Sequence, residues 1–383
     1  MTALVTRIAN KQQWLREQGL LRERKVTHIQ QGSNQVQQLQ QTLLNFSGND
    51  YLGLSQHPEV IKAYIKGVQQ YGTGSGASPL VTGYSPAHQI LEQQLLDLTG
   101  FEAGLLFCSG FSANHALMTT LFETDDHLLA DKLIHASLID GVLASGAKLS
   151  RYKHNDIEHA KLLCVKQAPS AIITESVFSM DGDIAPLAEL SALAKAQQAL
   201  FIVDDAHGMG VIGSQGFGAS QLANVDILVV TFGKALGGQG AAILASQAVI
   251  DFLVANARHY IYSTALAPAA AIGVAKSLEL LQREQISPQL LRRNIDYFKQ
   301  QAQARGLVLI NSKTAIQPLV IGDNERLLRV DSALKSQGLL VGAIRPPTVP
   351  QGSARLRITL TAKHELAEIA YLLDALKEIL NEM

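Results

Sequence analysis

The chain has 383 residues, 47% of them hydrophobic and 17% charged, with 32 Lys and Arg balanced by 33 Asp and Glu. Such a composition suits a globular chain large enough for two or three domains, and it lacks the basic excess of a typical nucleic-acid binder. The first residues show no basic segment followed by a long apolar one, and no apolar run approaches bilayer length. No signal peptide and no membrane attachment are therefore expected, and the cytoplasm is the expected compartment. Cys108 and Cys164, each beside an apolar run, are expected to be buried free thiols rather than a disulfide.

In chain order, residues 1–25 predict a helix, with Ile8, Leu15, Leu20 and Leu21 set among charged residues and Gln. The Gln-rich stretch 30–41 is expected to be a short connection. From about residue 100, apolar runs alternate with amphipathic ones. Gly104–Phe107, His127–Ala130, Ala171–Thr174, Leu200–Asp204, Asp226–Thr231 and Ala241–Leu244 predict strands. Phe111–Leu121, Ser137–Ala144, Ile157–Lys166 and Pro186–Gln197 predict helices between them. This alternation predicts an α/β fold with a mostly parallel central sheet and helices on both faces, whose ligands bind beyond the carboxyl ends of the strands. After about residue 266 helical stretches continue to 305. Strand-like runs at Ala315–Ile321, Leu339–Ile344 and Arg355–Leu360 and a helix from about 363 follow. They predict a smaller C-terminal α+β domain. The expected division is an N-terminal segment, 1–45, packing with a small domain, 276–383, and a large ligand-binding domain, 46–275.

Several chemical groups fall at predicted strand ends. The run Val203-Asp204-Asp205-Ala206-His207-Gly208 delivers two carboxylates and an imidazole into a Gly-rich loop. An Asp after a strand more often caps a helix, but no helical pattern follows. A buried Asp needs a cation, and a protonated pyridine nitrogen is one. Thr231-Phe232-Gly233-Lys234-Ala235-Leu236 places a lysine among glycines and apolar residues, where desolvation would make its amine nucleophilic. Ser109-Gly110-Phe111 opens a helix, and N–H groups at a helix start can take a phosphate. His135 could stack on a flat ring, although a lone histidine is more often structural. The loop Ser176–Asp183 is rich in hydroxyls.

A rival pattern is Gly208-Met209-Gly210-Val211-Ile212-Gly213, which has dinucleotide-fingerprint spacing with Asp226 downstream, as in an NAD-dependent dehydrogenase. Two features oppose it. The glycines continue through Gly216 and Gly218, so no helix opens there, and Asp226 begins its strand rather than ending it. A non-catalytic scaffold fits poorly with so many polar groups at strand ends.

Asp204-Asp205-Ala206-His207-Gly208 together with Thr231-Phe232-Gly233-Lys234 resembles the α-oxoamine synthases. These pyridoxal-phosphate enzymes of fold type I join an amino acid to an acyl thioester with loss of carbon dioxide. Asn49–Leu54, Gly74–Gly76, Ser109–Phe111, His135–Ser137, Phe178–Asp183 and Arg345–Pro350 extend the resemblance from about residue 20 to the end. It implies that Lys234 holds pyridoxal phosphate as a Schiff base and moves the Cα proton. Asp204 would pair with the ring nitrogen, His207 would bond the phenolic oxygen, and His135 would stack on the ring. Gly110, Phe111, Ser179 and Thr231 would help hold the cofactor. Arg22, Asn49, His135, Arg345 and Thr348 would meet substrates. A homodimer is implied, with Ser263 or Thr264 reaching the partner's phosphate, and no metal. The run Arg345-Pro346-Pro347-Thr348-Val349-Pro350 most resembles the member that joins L-alanine to a pimeloyl thioester in biotin synthesis, carried on coenzyme A or on acyl-carrier protein. Members taking glycine with short acyl thioesters, 2-amino-3-ketobutyrate ligase and 5-aminolevulinate synthase, stand as the alternative.

Overall fold

The computed structural model describes residues 2–286 and 288–382. Its strands are β1 Thr27–Ile29, β2 Gln35–Gln38, β3 Gln41–Phe46, β4 Ala103–Phe107, β5 His127–Asp131, β6 Lys148–Tyr152, β7 Ala171–Glu175, β8 Leu200–Asp204, β9 Ile227–Thr231, β10 Ala241–Ala245, β11 Ile316–Gly322, β12 Leu339–Ile344 and β13 Ala354–Thr359. The chain falls into two compact units. One comprises Asn49–Ser179 and Asp183–Leu291; the other is built from the segment up to Gly48, Met180–Gly182 and the chain from Arg292 onward.

The larger unit holds a seven-stranded sheet in the order β4-β10-β9-β8-β7-β5-β6. The run from β9 to β6 is parallel, and β10 is antiparallel to both its neighbours. Its central strands are largely apolar up to the acids that end β7 and β8, because successive side chains point to opposite faces and both faces are covered. Phe201, Val203, Leu228 and Val230 enter one buried cluster, with Leu91, Leu190 and Leu278 from the helices over that face. Ile202, Ile227 and Val229 enter the other, with Leu117, Leu138 and Leu253. Mostly parallel strands with helices on both faces are thus observed as expected. The edge strand β6 has no expectation from sequence; its residues Lys148–Tyr152 are largely exposed or half-buried and carry little apolar signal.

The smaller unit has a six-stranded sheet, β1-β2-β3-β12-β13-β11. The expected N-terminal helix is shorter than 1–25. It spans Ala3–Glu17, and Gly19 at φ 63° then lets the chain turn away into extended backbone. The Gln-rich stretch is not a bare connection but a hairpin, in which Gln38 pairs with Gln41 across Leu39 and Gln40, both at positive φ. Cys164 is buried as expected. Cys108 is exposed, because it stands beyond the end of β4 rather than within it; both thiols are free.

His364 links β3 to the segment after β13. Its ring stacks on Phe46 at 4.2 Å, its Nε2 donates to the Asn45 carbonyl at 3.1 Å, and its Nδ1 accepts from the Thr361 N–H at 2.9 Å. Burial pushes this histidine down to about 4. Between pH 6.5 and 4 the unfolded chain therefore takes up a proton that the fold excludes, so stability falls as pH drops through that window, by up to about 3 kcal/mol. Thermal unfolding at pH 7 and pH 4.5 checks this. His364→Gln is expected to flatten the difference; an unchanged pH slope would contradict the assignment.

Candidate active site

The carboxyl ends of β7, β8 and β9 border a cavity of ≈370 Å³ in the larger unit. Asp204 is the last residue of β8 and is only 5% exposed. Its Oδ2 accepts from the Asn114 amide at 2.7 Å and its Oδ1 from the Ala206 N–H at 3.0 Å. Asn114 stands one turn inside the helix Gly110–Leu121, and its amide also donates to the Ser137 hydroxyl at 3.0 Å. That hydroxyl lies 2.7 Å from His135 Nδ1, which also accepts from the Ser137 N–H at 3.3 Å. A hydrogen-bonded line therefore runs from Asp204 through Asn114 and Ser137 to His135, leaving the His135 Nε2 as the ring's protonated nitrogen.

His207 follows Asp204 by three residues and is buried. Its Nδ1 lies 2.8 Å from the Tyr51 hydroxyl, which also donates to Asn49 Oδ1 at 3.2 Å. Lys234 is half-buried in the turn after β9 and lines the cavity beside Gly233. Gly110, Phe111 and Thr231 line it too. The helix start packs so closely on the end of β9 that a Cβ on Gly110 would stand 2.5 Å from Thr231 Cγ2. A larger residue there would have to displace the Thr231 side chain, and the first turn of the helix stands at the cavity wall.

Sequence reasoning passed over two polar groups. Glu175, the last residue of β7, is buried and lines the cavity; burial, and then the Asp204 charge, push its carboxyl well above the usual range. Its position at the end of a strand neighbouring Asp204 was the available signal. Asn114 was visible only as part of the helix-start motif, and nothing in the sequence linked it to Asp204, 90 residues away.

The remaining expected residues lie elsewhere. Ser179 sits in the turn after β7, beyond buried Phe178, and is not among the described residues that line the cavity. Neither Ser263 nor Thr264 is among the described residues that line the cavity, although the Thr264 carbonyl accepts from the thiol of cavity-lining Cys108 at 3.2 Å. Arg22, Arg345 and Thr348 come together in the smaller unit, around a separate cavity of ≈720 Å³. There Arg22 Nη2 donates to Thr348 Oγ1 at 2.7 Å, and Arg345 donates to the Gly19 carbonyl.

The donor set can be tested against pyridoxal phosphate. The ring nitrogen needs a buried acid, the phosphate a helix start, the aldehyde an amine and the ring face a flat group. Asp204, Gly110 with Phe111, Lys234 and His135 supply these around one cavity, which is also lined by Glu175 and Asn114, whose Oε1 and Oδ1 are buried without a hydrogen bond. The residues present fit the group.

A mostly parallel sheet that gathers an acid, two imidazoles and a lysine at its carboxyl ends defines the fold type I class of pyridoxal-phosphate enzymes. The family model for aminotransferase class I and II matches residues 41–376. The 8-amino-7-oxononanoate synthase of Vibrio parahaemolyticus is 48% identical over 343 residues, 89% of each chain. That of Serratia proteamaculans is 48% identical over 357 residues, 92% of this chain and 93% of the relative. Among solved structures, serine palmitoyltransferase from S. paucimobilis superposes with a TM-score of 0.92 at 26% identity, covering 100% of this chain and 99% of the other. The 8-amino-7-oxononanoate synthase of Francisella tularensis superposes at 0.77 with 31% identity, covering 89% and 98%. The chain belongs to the 8-amino-7-oxononanoate synthase family.

Since burial and the neighbouring Asp204 charge both disfavour an anion at Glu175, that side chain is expected to be a neutral acid when pyridoxal phosphate binds. Glu175→Gln should then change cofactor affinity by no more than about threefold. Asp204→Asn, which removes a charge-assisted bond of about 1.5–3 kcal/mol, should weaken it at least tenfold. Titration of each apo-variant by visible absorption checks this, and equal losses in the two variants would contradict it.

Proposed function

We propose that this protein binds pyridoxal phosphate in the cavity at the carboxyl ends of β7–β9. There it joins L-alanine to a pimeloyl thioester, giving 8-amino-7-oxononanoate, carbon dioxide and free thiol, the condensation of biotin synthesis. The observation that carries this reading is Asp204: a carboxylate 5% exposed, held by two hydrogen bonds at the edge of a cavity that Lys234 also lines. When bound, the cofactor supplies an aldehyde for covalent attachment of amines and a cationic ring that accepts the electron pair of the amino acid's Cα–H bond.

The chain's own residues then divide the work. Lys234 would hold the aldehyde through its amine and would be the base for the Cα proton. Asp204 keeps the ring nitrogen protonated, and Asn114 fixes the direction of its carboxylate. His207, tethered to Tyr51, bonds the phenolic oxygen. His135 covers the ring face. Gly110, Phe111 and Thr231 take the phosphate, with Ser179 nearby. Asn49 and His135 meet the substrate in the cavity, and Arg22, Arg345 and Thr348 bind substrate carboxylates. A guanidinium presents a planar fork that grips a carboxylate through two parallel bonds. Alanine Cα bonds to the thioester carbon while the C–S bond breaks and the thiol leaves. The bond to the alanine carboxylate then breaks as carbon dioxide departs, and Cα takes a proton.

A homodimer in which Ser263 or Thr264 reaches the partner's phosphate completes the reading. The cytoplasm is the proposed compartment, in line with the two free thiols. Among the described residues, no helix is long and apolar enough to cross a membrane. The test is a competition assay. Alanine or glycine is supplied with acetyl, succinyl or pimeloyl coenzyme A, or pimeloyl acyl-carrier protein, and scored by free thiol and product mass. Alanine with a pimeloyl donor is expected to react fastest, and Lys234→Ala to release no thiol above background. Faster release with glycine and a short acyl donor would overturn the substrate assignment.

A further inference from the structure

His154 stands two residues beyond the end of β6, between Asp131 at the end of β5 and Asp183 in the loop after β7. Its Nδ1 lies 3.0 Å from Asp131 Oδ1 and its Nε2 lies 2.7 Å from Asp183 Oδ2. A carboxylate oxygen only accepts, so both ring nitrogens donate, and the ring is an imidazolium. The two carboxylates outweigh burial and hold this histidine up to about 10. Asn155, at φ 54°, repeats the arrangement: its N–H donates to Asp131 Oδ2 at 2.8 Å and its amide to Asp183 Oδ2 at 2.7 Å. Phe178 closes the site, its ring edge-on to His154 at 4.4 Å.

The two acids govern the loops that lead to the cavity. Asp131 is fully buried at the end of β5, and its Oδ1 also takes the Leu133 N–H at 2.8 Å. Four residues on from Asp131, His135 caps the next helix and lines the cavity. Asp183 closes the loop after β7, where its carbonyl accepts from the Phe178 N–H at 3.1 Å, and Ser179 lies inside that loop. Neither His154 nor Asp183 lines the cavity.

We propose that His154 is a positioning residue, an imidazolium clamped between Asp131 and Asp183 that ties the His135 loop to the Ser179 loop and sets where His135 stands in the cavity wall. The proposal rests on the pyridoxal-phosphate reading of that cavity. It gives a role to a histidine that touches neither substrate nor cofactor. A side chain that only held the fold together would change the melting temperature and leave the cofactor's environment alone. A clamp acting through His135 must change that environment, and only while His135 is present.

The experiment is a double-mutant cycle of His154→Gln and His135→Ala, read by the visible circular dichroism of bound pyridoxal phosphate and by its dissociation constant. All variants are measured at a temperature where far-ultraviolet dichroism shows them folded. His154→Gln is expected to weaken binding at least about tenfold and to diminish the cofactor's dichroism, and the double variant to be no worse than His135→Ala alone. Asp183→Asn, which keeps the histidine and removes one carboxylate, is expected to shift both readouts in the same direction by less, and it decides the question should His154→Gln fail to fold. Wild-type dichroism and affinity in the folded variants, or additive losses in the double variant, would overturn the proposal. Cofactor binding to the unaltered chain is the separate control: its absence would overturn the pyridoxal-phosphate reading itself.

Discussion

A carboxylate buried at the end of a strand has to be matched, and the site is organised around that constraint. Leaving an ion unpaired in a protein interior costs several kcal/mol. Asp204 receives two hydrogen bonds from the chain, from Asn114 and the Ala206 N–H, and both donors are neutral. Two more acids lie close by. Burial pushes Asp205 up to about 7, and burial together with the Asp204 charge pushes Glu175 well up. The strand ends therefore do not have to carry three full negative charges. In the proposed reading a cationic ring nitrogen at Asp204 would supply the match, and Lys234 lines the same cavity.

The sheet makes that arrangement possible because its strands are committed to packing on both faces. Their carboxyl ends present the polar groups of the site, and the loops beyond them do the positioning. The Gly-rich run after Asp204, which mimics a dinucleotide fingerprint, belongs to this packing. A Cβ on Gly208 would fall 1.9 Å from one Asp205 carboxyl oxygen, and one on Gly218 would fall 1.8 Å from the other. The loop thus folds around the Asp205 carboxyl, whose Oδ2 also accepts from the Ala219 N–H at 3.1 Å. Asp226 is occupied at the far end of its strand, where it accepts from the Phe201 N–H at 2.7 Å. The geometry gives neither feature to a ribose or a pyrophosphate.

Most of the larger unit's sheet was legible because its inner strands are short, largely apolar runs spaced by helices. What was not legible has local physical causes. β6 is an edge strand with few buried residues, so its apolar signal is weak. The hairpin of β2 and β3 turns through Leu39 and Gln40 at positive φ, without the Asn-Gly or Asp-Gly pair that announces such a turn. The helices Pro58–Tyr71 and Pro86–Thr99 did carry signals, a proline at the first helical position and Gly72 or Gly100 just after the last. In the site, the residues set in motifs were visible. Asn114, Tyr51 and Glu175 act on Asp204 and His207 across long stretches of chain, and sequence spacing holds no record of such contacts.

The most direct test of the buried Asp204 as a partner for a cation is the nitrogen-15 resonance of ring-labelled pyridoxal phosphate bound to the protein, followed from pH 6 to pH 9. The expected result is a protonated ring nitrogen across the whole range in the unaltered protein, and loss of that proton within the range in Asp204→Asn. A ring nitrogen that titrates like the free cofactor's while Asp204 is intact would contradict the account.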